Sequence, residues 1–303
     1  MKLMSVDKIW DLADHNAFTD MVRFSDQLYC VFREGSTPVS DDGMLRVICS
    51  PDEGNTWESV ALMQMSHADM RDGKLVVYQG ALLLFGVGSF ISRVKQERQS
   101  YVWRTTDGVS WSGPDEIARP NDWLWRLCVH NNVLWGISYL PKPKGYASLY
   151  KSIDGQHFTR VFKNLNKQGY VNESGLFFDE HDNAHCLLRR DPVWGPEETA
   201  LLGSSKPPYQ YWQWQELDKR VGGPVSFYYQ GHHYGVVRLY DDKTRTSVVE
   251  IDEQSAEVTE LFSLPSGGDN SYAGVVLDKG SLKVSYYSSH EGKAAIYFAE
   301  IDI

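Results

Sequence analysis

Arginine, carboxylate and tyrosine side chains are the residues of this sequence whose types could do chemistry together. An arginine guanidinium offers a fork of N–H donors that matches a carboxylate, so a cluster of arginines suits an anionic ligand. A carboxylate beside a tyrosine can accept the phenolic proton and activate a side chain whose usual pKa is about 10. Glu173 and Tyr272 are the two residues best placed for that pairing.

Three turns at nearly regular spacing indicate the elements that must position these side chains. The turns are Ser50–Trp57, Thr105–Trp111 and Ser152–Phe158, and each has a hydroxyl residue, an Asp two positions later, a Gly and an aromatic residue. The Asp can cap the turn, the Gly can adopt a positive φ, and the aromatic residue returns to the core. Three copies predict a repeated β-sheet unit of roughly 50 residues.

The strand-like runs around these turns predict an all-β, six-bladed β-propeller that forms one domain over residues 1–303. The last blade has only three runs, Ala273–Asp278, Ser281–Tyr286 and Ala294–Ile301. We expect the N-terminal region around Ile9–Leu12 to supply the missing strand and to close the last blade.

The predicted layout brings the chemistry-bearing residues to one face. Strands of a meander alternate in direction, so the starts of first strands and the ends of second strands share a face. The predicted substrate-binding residues of this face are Arg189, Arg238, Arg33, Arg71, Arg126, Asp20 and Tyr286. Strand ends on a rigid scaffold often bind ligands. The alternative is that these side chains only cap strands and pair with one another between blades.

Charge and composition exclude several classes of function. The net charge is −10, and no run of Lys or Arg exceeds two residues, which disfavours nucleic acid and anionic membranes as partners. An anionic substrate would need a local cluster of positive charge. The nine His show no zinc-ligand spacing, and no nucleotide-binding fingerprint occurs, so we predict neither a metal nor a cofactor. The four Cys are expected to be reduced core residues.

The sequence does not identify the cellular compartment. No apolar run is long enough to span a membrane, and the first residues lack the pattern of a signal peptide. The sequence is therefore compatible with a cytoplasmic protein or with one whose leader was removed.

The three turns resemble the Asp-box of the bacterial-neuraminidase repeat, and the chain is similar to the sialidase superfamily of six-bladed propellers. Asn172-Glu173, followed by Arg189 after 16 residues, resembles the sialidase segment that carries the assisting Glu. Ser271–Val276 resembles the segment that carries the nucleophilic Tyr, with the Ser before the Tyr instead of after it. The resemblance implies Tyr272 as the nucleophile, Glu173 as its base and Arg189 as a clamp on a substrate carboxylate.

Other members of the expected sialidase site are matched less directly. Arg238, or alternatively Arg245, would be a second clamp arginine. Sialidases open their first blade with Arg-Ile-Pro, whereas this chain has Ala17–Asp20 there and lacks the first arginine of the triad. Arg33 or Arg71 would have to replace it.

The general acid has several candidates. Asp42, with Asp41 beside it, lies in the loop where sialidases place this residue, although Asp42-Gly43 also resembles a plain hairpin turn. Asp72 and Asp20 compete with Asp42 for the role.

These observations predict an exo-acting glycoside hydrolase of the sialidase-like type, whose substrate is a carbohydrate that carries an acidic sugar at its end. One alternative is a propeller lyase or hydrolase that acts on uronic-acid or rhamnose-linked glycans and uses His290. Another is a non-catalytic propeller that binds a glycan, because propellers host many functions.

Overall fold

The computed structural model describes residues 1–90, 97–142, 145–193, 195, 198–278 and 280–303. These residues form 24 β-strands in six antiparallel sheets of four strands, and no helix occurs among them. The described part of the chain therefore contains no helix that could cross a membrane. The predicted all-β, six-bladed β-propeller is confirmed.

The chain divides into two compact units, one made of Met1–Asn121 with Pro265–Ile303 and the other of Asp122–Leu264. Each unit contains three four-stranded sheets, which we number as blades in chain order. The prediction of a single domain over residues 1–303 stays a prediction.

The first unit contains blades one, two and six. Blade one consists of β2 (His15–Phe24), β3 (Gln27–Gly35), β4 (Met44–Ser50) and β5 (Glu58–Met63). Blade two consists of β6 (Asp69–Tyr78), β7 (Ala81–Ser89), β8 (Arg98–Thr105) and β9 (Ser112–Ile117). Blade six consists of β22 (Asn270–Asp278), β23 (Ser281–Ser288), β24 (Ala295–Asp302) and β1 (Lys2–Trp10).

The second unit contains blades three, four and five. Blade three consists of β10 (Trp123–His130), β11 (Val133–Tyr139), β12 (Ala147–Ser152) and β13 (Thr159–Asn166). Blade four consists of β14 (Tyr170–Phe178), β15 (Ala184–Asp191), β16 (Leu201–Ser205) and β17 (Gln213–Glu216). Blade five consists of β18 (Val221–Tyr229), β19 (His232–Leu239), β20 (Arg245–Asp252) and β21 (Glu257–Ser263).

The N-terminal strand completes blade six, as the sequence predicts. β1 is antiparallel to β24, with Lys2 opposite Asp302 and Trp10 opposite Ile296. The strand is longer and begins earlier than the predicted Ile9–Leu12 region. All of its residues are exposed or half-buried, because it lies at the edge of the sheet, so it lacks the apolar alternation that reveals a buried strand.

In all three predicted turns, the hydroxyl residue accepts the backbone N–H of the Gly, and the Asp accepts the N–H of a residue that follows the Gly. In the second of them, Thr105 Oγ1 accepts the backbone N–H of Gly108 at 3.0 Å. Asp107 Oδ1 accepts the N–H groups of Ser110 at 2.7 Å and Val109 at 2.9 Å. The bonds from Ser110 and Val109 hold the pKa of Asp107 well below its usual range. The sequence therefore identified the hairpins that join the third and fourth strands of blades one, two and three.

Apolar side chains of adjacent sheets form the core of each unit. In the first unit, Leu45, Leu84 and Trp103 belong to one buried cluster. In the second unit, Leu149 and Leu188 belong to another. Within each unit, neighbouring sheets therefore bury faces against each other, which holds their first strands at the positions where the predicted site residues lie.

The cysteines lie where the sequence places them, in strands. All four are free, and Cys30, Cys49 and Cys186 are buried. Cys30 and Cys49 lie on the neighbouring strands β3 and β4, where Cys30 is opposite Ile48.

Candidate functional site

The first strand of every blade carries a β-bulge near its start. The bulges fall at Ala17–Asp20, Arg71–Lys74, Leu124–Arg126, Val171–Ser174, Gly222–Val225 and Ser271–Gly274. A bulge re-aims side chains and often occurs beside a functional site. Asp72, Glu173 and Tyr272, three of the four predicted catalytic residues, lie inside these bulges.

Three bulge residues of the first unit have an unfavourable backbone conformation. Phe18, Asp72 and Tyr272 have φ angles of 61°, 51° and 52°, in the left-handed region. Such a conformation costs a non-glycine residue on the order of 1–3 kcal/mol, and it persists only where the surroundings impose it. The recurrence of this strain at one position of three first strands marks these residues as candidates for function.

Tyr272 is held between aromatic rings and a neighbouring strand. Its ring meets the ring of Phe18 edge-on at 5.0 Å and lies 6.0 Å from the ring of Tyr287, between ring centroids. Its carbonyl accepts the Thr19 hydroxyl at 2.8 Å. The side chain is 7% exposed, so the neighbouring strands leave little freedom for its ring.

Asp269 and His15 stand beside this aromatic group and were missed by the sequence analysis. The Tyr287 hydroxyl donates to Asp269 Oδ1 at 2.7 Å, and His15 Nε2 lies 3.8 Å from Asp269 Oδ2. Asp269 follows two glycines, a pattern that indicates only a turn, and His15 has no motif around it. No signal in the sequence could have found either residue.

Asp69 accepts hydrogen bonds from two of the predicted arginines. Arg33 Nε donates to Asp69 Oδ1 at 2.8 Å, and Arg71 donates to Asp69 Oδ2 at 2.9 Å. Arg33 is fully buried and also donates to the Thr37 carbonyl. The structure thus places Arg33 inside the protein, where it positions Asp69. Arg71 lies with its guanidinium carbon 5.4 Å from the centre of the Phe18 ring.

Asp42 lies in the exposed loop between β3 and β4. It accepts the Ser40 hydroxyl and, at 3.1 Å, the backbone N–H of Ser36. These bonds, the Ser40 bond first, lower the pKa of Asp42, so its carboxyl is ionised at neutral pH and is a poor proton donor. Asp41, Asp42 and His67 also line a cavity of about 460 Å³.

Asp20 and Tyr286 lie inside the fold. Asp20 is buried, and its carboxylate accepts the backbone N–H of Leu75 at 2.8 Å. Tyr286 is buried, and its hydroxyl donates to the Pro265 carbonyl at 2.9 Å. Burial raises the pKa of Tyr286, and Tyr297 adds to this effect. Asp20 thus links two strands and Tyr286 links a strand to the loop before β22, and the predicted role of each in binding substrate stays a prediction.

Glu173 and Arg189 form an ion pair in the second unit. The bulge of β14 sets Asn172 and Glu173 opposite the single residue Arg189 of β15, which explains their spacing in the sequence. Arg189 Nη1 donates to Glu173 Oε2 at 2.7 Å, and the Gly223 N–H donates to the same oxygen at 2.9 Å. Glu173 is therefore fixed in one orientation by two donors.

Asp191, which the sequence analysis also missed, extends this ion pair. It accepts Arg189 Nη2 at 3.0 Å, Arg220 Nη2 at 2.8 Å and the Asn172 amide at 2.8 Å. Burial opposes ionisation of Asp191, but the charge of Arg189 and the bonds from Arg220 and Asn172 outweigh it and lower the pKa. Arg189 is thus shared by two carboxylates of the protein, and a substrate carboxylate would compete with both.

The remaining predicted arginines occupy different places. Arg126 lies at the bulge of β10, and Arg238 lies in β19 opposite Gly222; both are half-buried. Arg245, the alternative clamp, pairs with Glu260 at 2.6 Å and with Asp241 at 2.9 Å.

His290, the residue proposed for a lyase, lies in the first unit. Its Nδ1 is 2.9 Å from Ser288 Oγ, and its ring centre is 5.0 Å from that of Tyr297. Across the described ranges, no group of three or more His, Cys, Asp or Glu residues is arranged to hold a metal ion.

Comparisons with known proteins bear on the fold. No protein-family model and no curated protein sequence matches this chain. The chain is similar over its whole length to a protein of unknown function from Dyadobacter fermentans, with a TM-score of 0.82, 17% identity and 99% of that chain covered. It is similar to an alpha-L-arabinofuranosidase from Fusarium graminearum, with a TM-score of 0.76, 14% identity and 100% and 98% of the two chains covered.

A sialidase from Trypanosoma rangeli is also similar, with a TM-score of 0.74 and 13% identity. The match covers 99% of this chain but 57% of the sialidase, so the chain spans just over half of that protein. At these identities the likeness shows the fold. This protein is a six-bladed β-propeller of the kind found in these two glycoside hydrolases.

Proposed function

We propose that this protein is a glycoside hydrolase that releases a sugar from the end of a glycan. The observation that carries the proposal is the placement of Asp72, Glu173 and Tyr272 in the bulges of three first strands. The arabinofuranosidase and the sialidase, which share the fold, both act on glycosides. The resemblance of the three turns to Asp-boxes agrees with this proposal.

In the proposed reaction, the Tyr272 oxygen attacks the anomeric carbon and Glu173 accepts the phenolic proton. An aspartic acid protonates the leaving oxygen as the glycosidic bond breaks. The resulting aspartate accepts a proton from water as the water oxygen attacks the anomeric carbon and the glycosyl–tyrosine bond breaks, and the proton on Glu173 returns to the phenolic oxygen. A tyrosine nucleophile is a recorded exception to the usual pair of carboxylates. Asp72 suits the acid role better than Asp42, because the hydrogen bonds of Asp42 stabilise its ionised form.

The charge of the sugar is a separate part of the proposal. The sequence predicts an acidic sugar, to be held by Arg189 and Arg238, with Arg33 or Arg71 in place of the missing arginine. However, Arg33, Arg71 and Arg189 each pair with a carboxylate of the protein. This observation favours a neutral sugar as a second candidate, and the arabinofuranosidase was solved with the uncharged disaccharide arabinobiose.

The test is the release of a fluorophore from a sialoside, a glucuronide, a rhamnoside and an α-L-arabinofuranoside. We expect one of these to be hydrolysed, and Tyr272→Phe to lower its kcat/KM by about 10²-fold or more, or ~2.7 kcal/mol of barrier. Tyr211→Phe, a change at an exposed tyrosine, is the matched control and should leave the rate unchanged.

Two results would overturn the proposal. Turnover that survives Tyr272→Phe and is lost in His290→Ala would support the alternative lyase or hydrolase. Absence of turnover with every substrate, together with retained sugar binding, would make the protein a non-catalytic glycan-binding propeller.

A further inference from the structure

Two cavities open at the other end of the blade-four strands, away from Glu173 and Arg189. Their volumes are about 290 and 430 Å³, within the range of small-molecule sites. They share four lining residues, His185, Ser204, Gln213 and Glu253, and we call them together the Glu253 cavity. His185 lies at the start of β15, opposite Phe177 near the end of β14, whereas Glu173 lies near the start of β14, so the strands separate this cavity from the candidate catalytic residues of the unit.

A row of alternating carboxylate and imidazole groups lies along the wall of the Glu253 cavity. His185 Nε2 lies 3.0 Å from Asp179 Oδ2, and His185 Nδ1 lies 3.1 Å from Glu253 Oε1. The same Glu253 oxygen lies 3.0 Å from Nδ1 of the buried His233. The Phe177 ring stacks on His185 at 5.0 Å and 7°. These contacts fix the geometry of the row. Glu253 is partly exposed and faces the cavity.

The carboxylates on the cavity wall disfavour an anionic ligand. Burial opposes ionisation of Glu253, but its contacts with the His185 ring and with the His233 ring, which is hydrogen-bonded to it, outweigh burial and lower its pKa to about 2. Burial likewise opposes ionisation of Asp179, but bonds from Asn183 and His185 lower its pKa to about 2. Both carboxylates are charged at neutral pH. The positive charges of Lys206, which lines the cavity, and of a protonated His185 would balance these two negative charges, so the net charge of the four groups would be close to zero.

Aromatic and amide groups form the rest of the lining. Trp214 stacks on Trp212 at 5.6 Å and 21°, and Trp214 Nε1 is buried without a hydrogen-bond partner among the residues that the structure describes. Tyr211 is 85% exposed at the rim. The cavity therefore offers a ligand aromatic rings from Trp214 and Tyr211 and polar groups from Ser204 and Gln213.

We propose that the Glu253 cavity is a second carbohydrate-binding site, which takes a neutral sugar or a short neutral oligosaccharide. The hydroxyl groups of a sugar can donate to Glu253 and exchange hydrogen bonds with the Gln213 amide and the Ser204 hydroxyl. Its apolar face can pack on an aromatic ring such as that of Tyr211. The site holds a glycan without cleaving it, and it does not depend on the proposed glycosidase activity.

The experiment follows the indole N–H signals of Trp212 and Trp214 by NMR during titration with arabinobiose, cellobiose and maltose. Trp214→Phe assigns the signals. We expect at least one disaccharide to shift the Trp214 signal, and Tyr211→Ala or Gln213→Ala to weaken that binding about tenfold or more. Tyr211 and Gln213 are exposed, so these variants should fold. Gln156→Ala, at an exposed glutamine of the same unit, is the matched control and should bind normally.

The Trp214 signal separates this site from the catalytic proposal, because it reports binding whether or not any glycoside is hydrolysed. Tyr211→Ala should also leave the turnover of a small fluorogenic substrate unchanged. A response to putrescine alone would show a cation site, and a response to glucuronic acid alone would show an anion site; either would overturn the proposal. It would fail equally if no disaccharide shifted the signal at about 10 mM, or if the variants bound as the wild type does.

Discussion

At the scale of single residues, three of the arginines predicted to bind substrate, Arg33, Arg71 and Arg189, are bonded to carboxylates of the protein itself. Arg189 is the clearest case, because it contacts both Glu173 and Asp191 and is largely buried. Removing one partner of a buried ion pair leaves a charge without compensation, which costs more than the pair contributes. Arg189 therefore orients Glu173 as well as balancing its charge.

We predict that Arg189→Met destabilises the protein by about 3 kcal/mol, because Glu173 and Asp191 then lose the guanidinium that faces both of them. Urea unfolding, followed by tryptophan fluorescence, measures the change. Arg98→Met is the control, since Arg98 pairs with the half-exposed Glu97 and should cost less than about 1 kcal/mol. Equal losses in the two variants would mean that the Glu173–Arg189 pair is no more important than a surface contact.

At the scale of elements, a glycine lets a hairpin turn pack closely against the neighbouring blade. Gly108 has a φ of +78°, and a Cβ added there would lie 2.1 Å from the Tyr29 hydroxyl oxygen. Gly231, in the β18–β19 hairpin, has a φ of +84° and no atom within 4 Å of such a Cβ. The two positions thus share the backbone conformation and differ in the close approach.

We predict that Gly108→Ala costs about 2–4 kcal/mol, the sum of backbone strain and of displacing the Tyr29 side chain. Gly231→Ala should cost only the strain, about 1–2 kcal/mol. Denaturant midpoints of the two variants measure the difference. If Gly231→Ala were as damaging as Gly108→Ala, the contact between turn and neighbouring blade would contribute nothing.

At the scale of the whole molecule, the sequence predicted the blades well and the side-chain partners poorly. The turns are visible because Asp and Gly at fixed offsets have a local role that does not depend on the rest of the fold. The bulges are not visible, since nothing in the types of Phe18 or Tyr272 indicates a positive φ; packing between strands imposes it. Asp69 pairs with Arg33 of β3 and Asp191 pairs with Arg220 just before β18, and a single sequence carries no record of such contacts between distant segments.

The last blade offers a test at this scale, because its fourth strand comes from the opposite end of the chain. β1 pairs with β24 along nearly its whole length, and the Trp10 indole N–H donates to Glu34 of blade one at 2.7 Å. Deleting residues 2–10 would expose the edge of β24 and remove this contact within the first unit.

We predict that the deletion of residues 2–10 lowers Tm by about 10 °C or more, since each kcal/mol lost shifts Tm by about 2–4 °C in a large domain. Differential scanning calorimetry measures the shift. Met4→Ser, at a residue of β1 that is 58% exposed, is the control and should leave Tm almost unchanged. An unchanged Tm after the deletion would mean that three strands are sufficient for blade six, and that the pairing of β1 with β24 adds no stability.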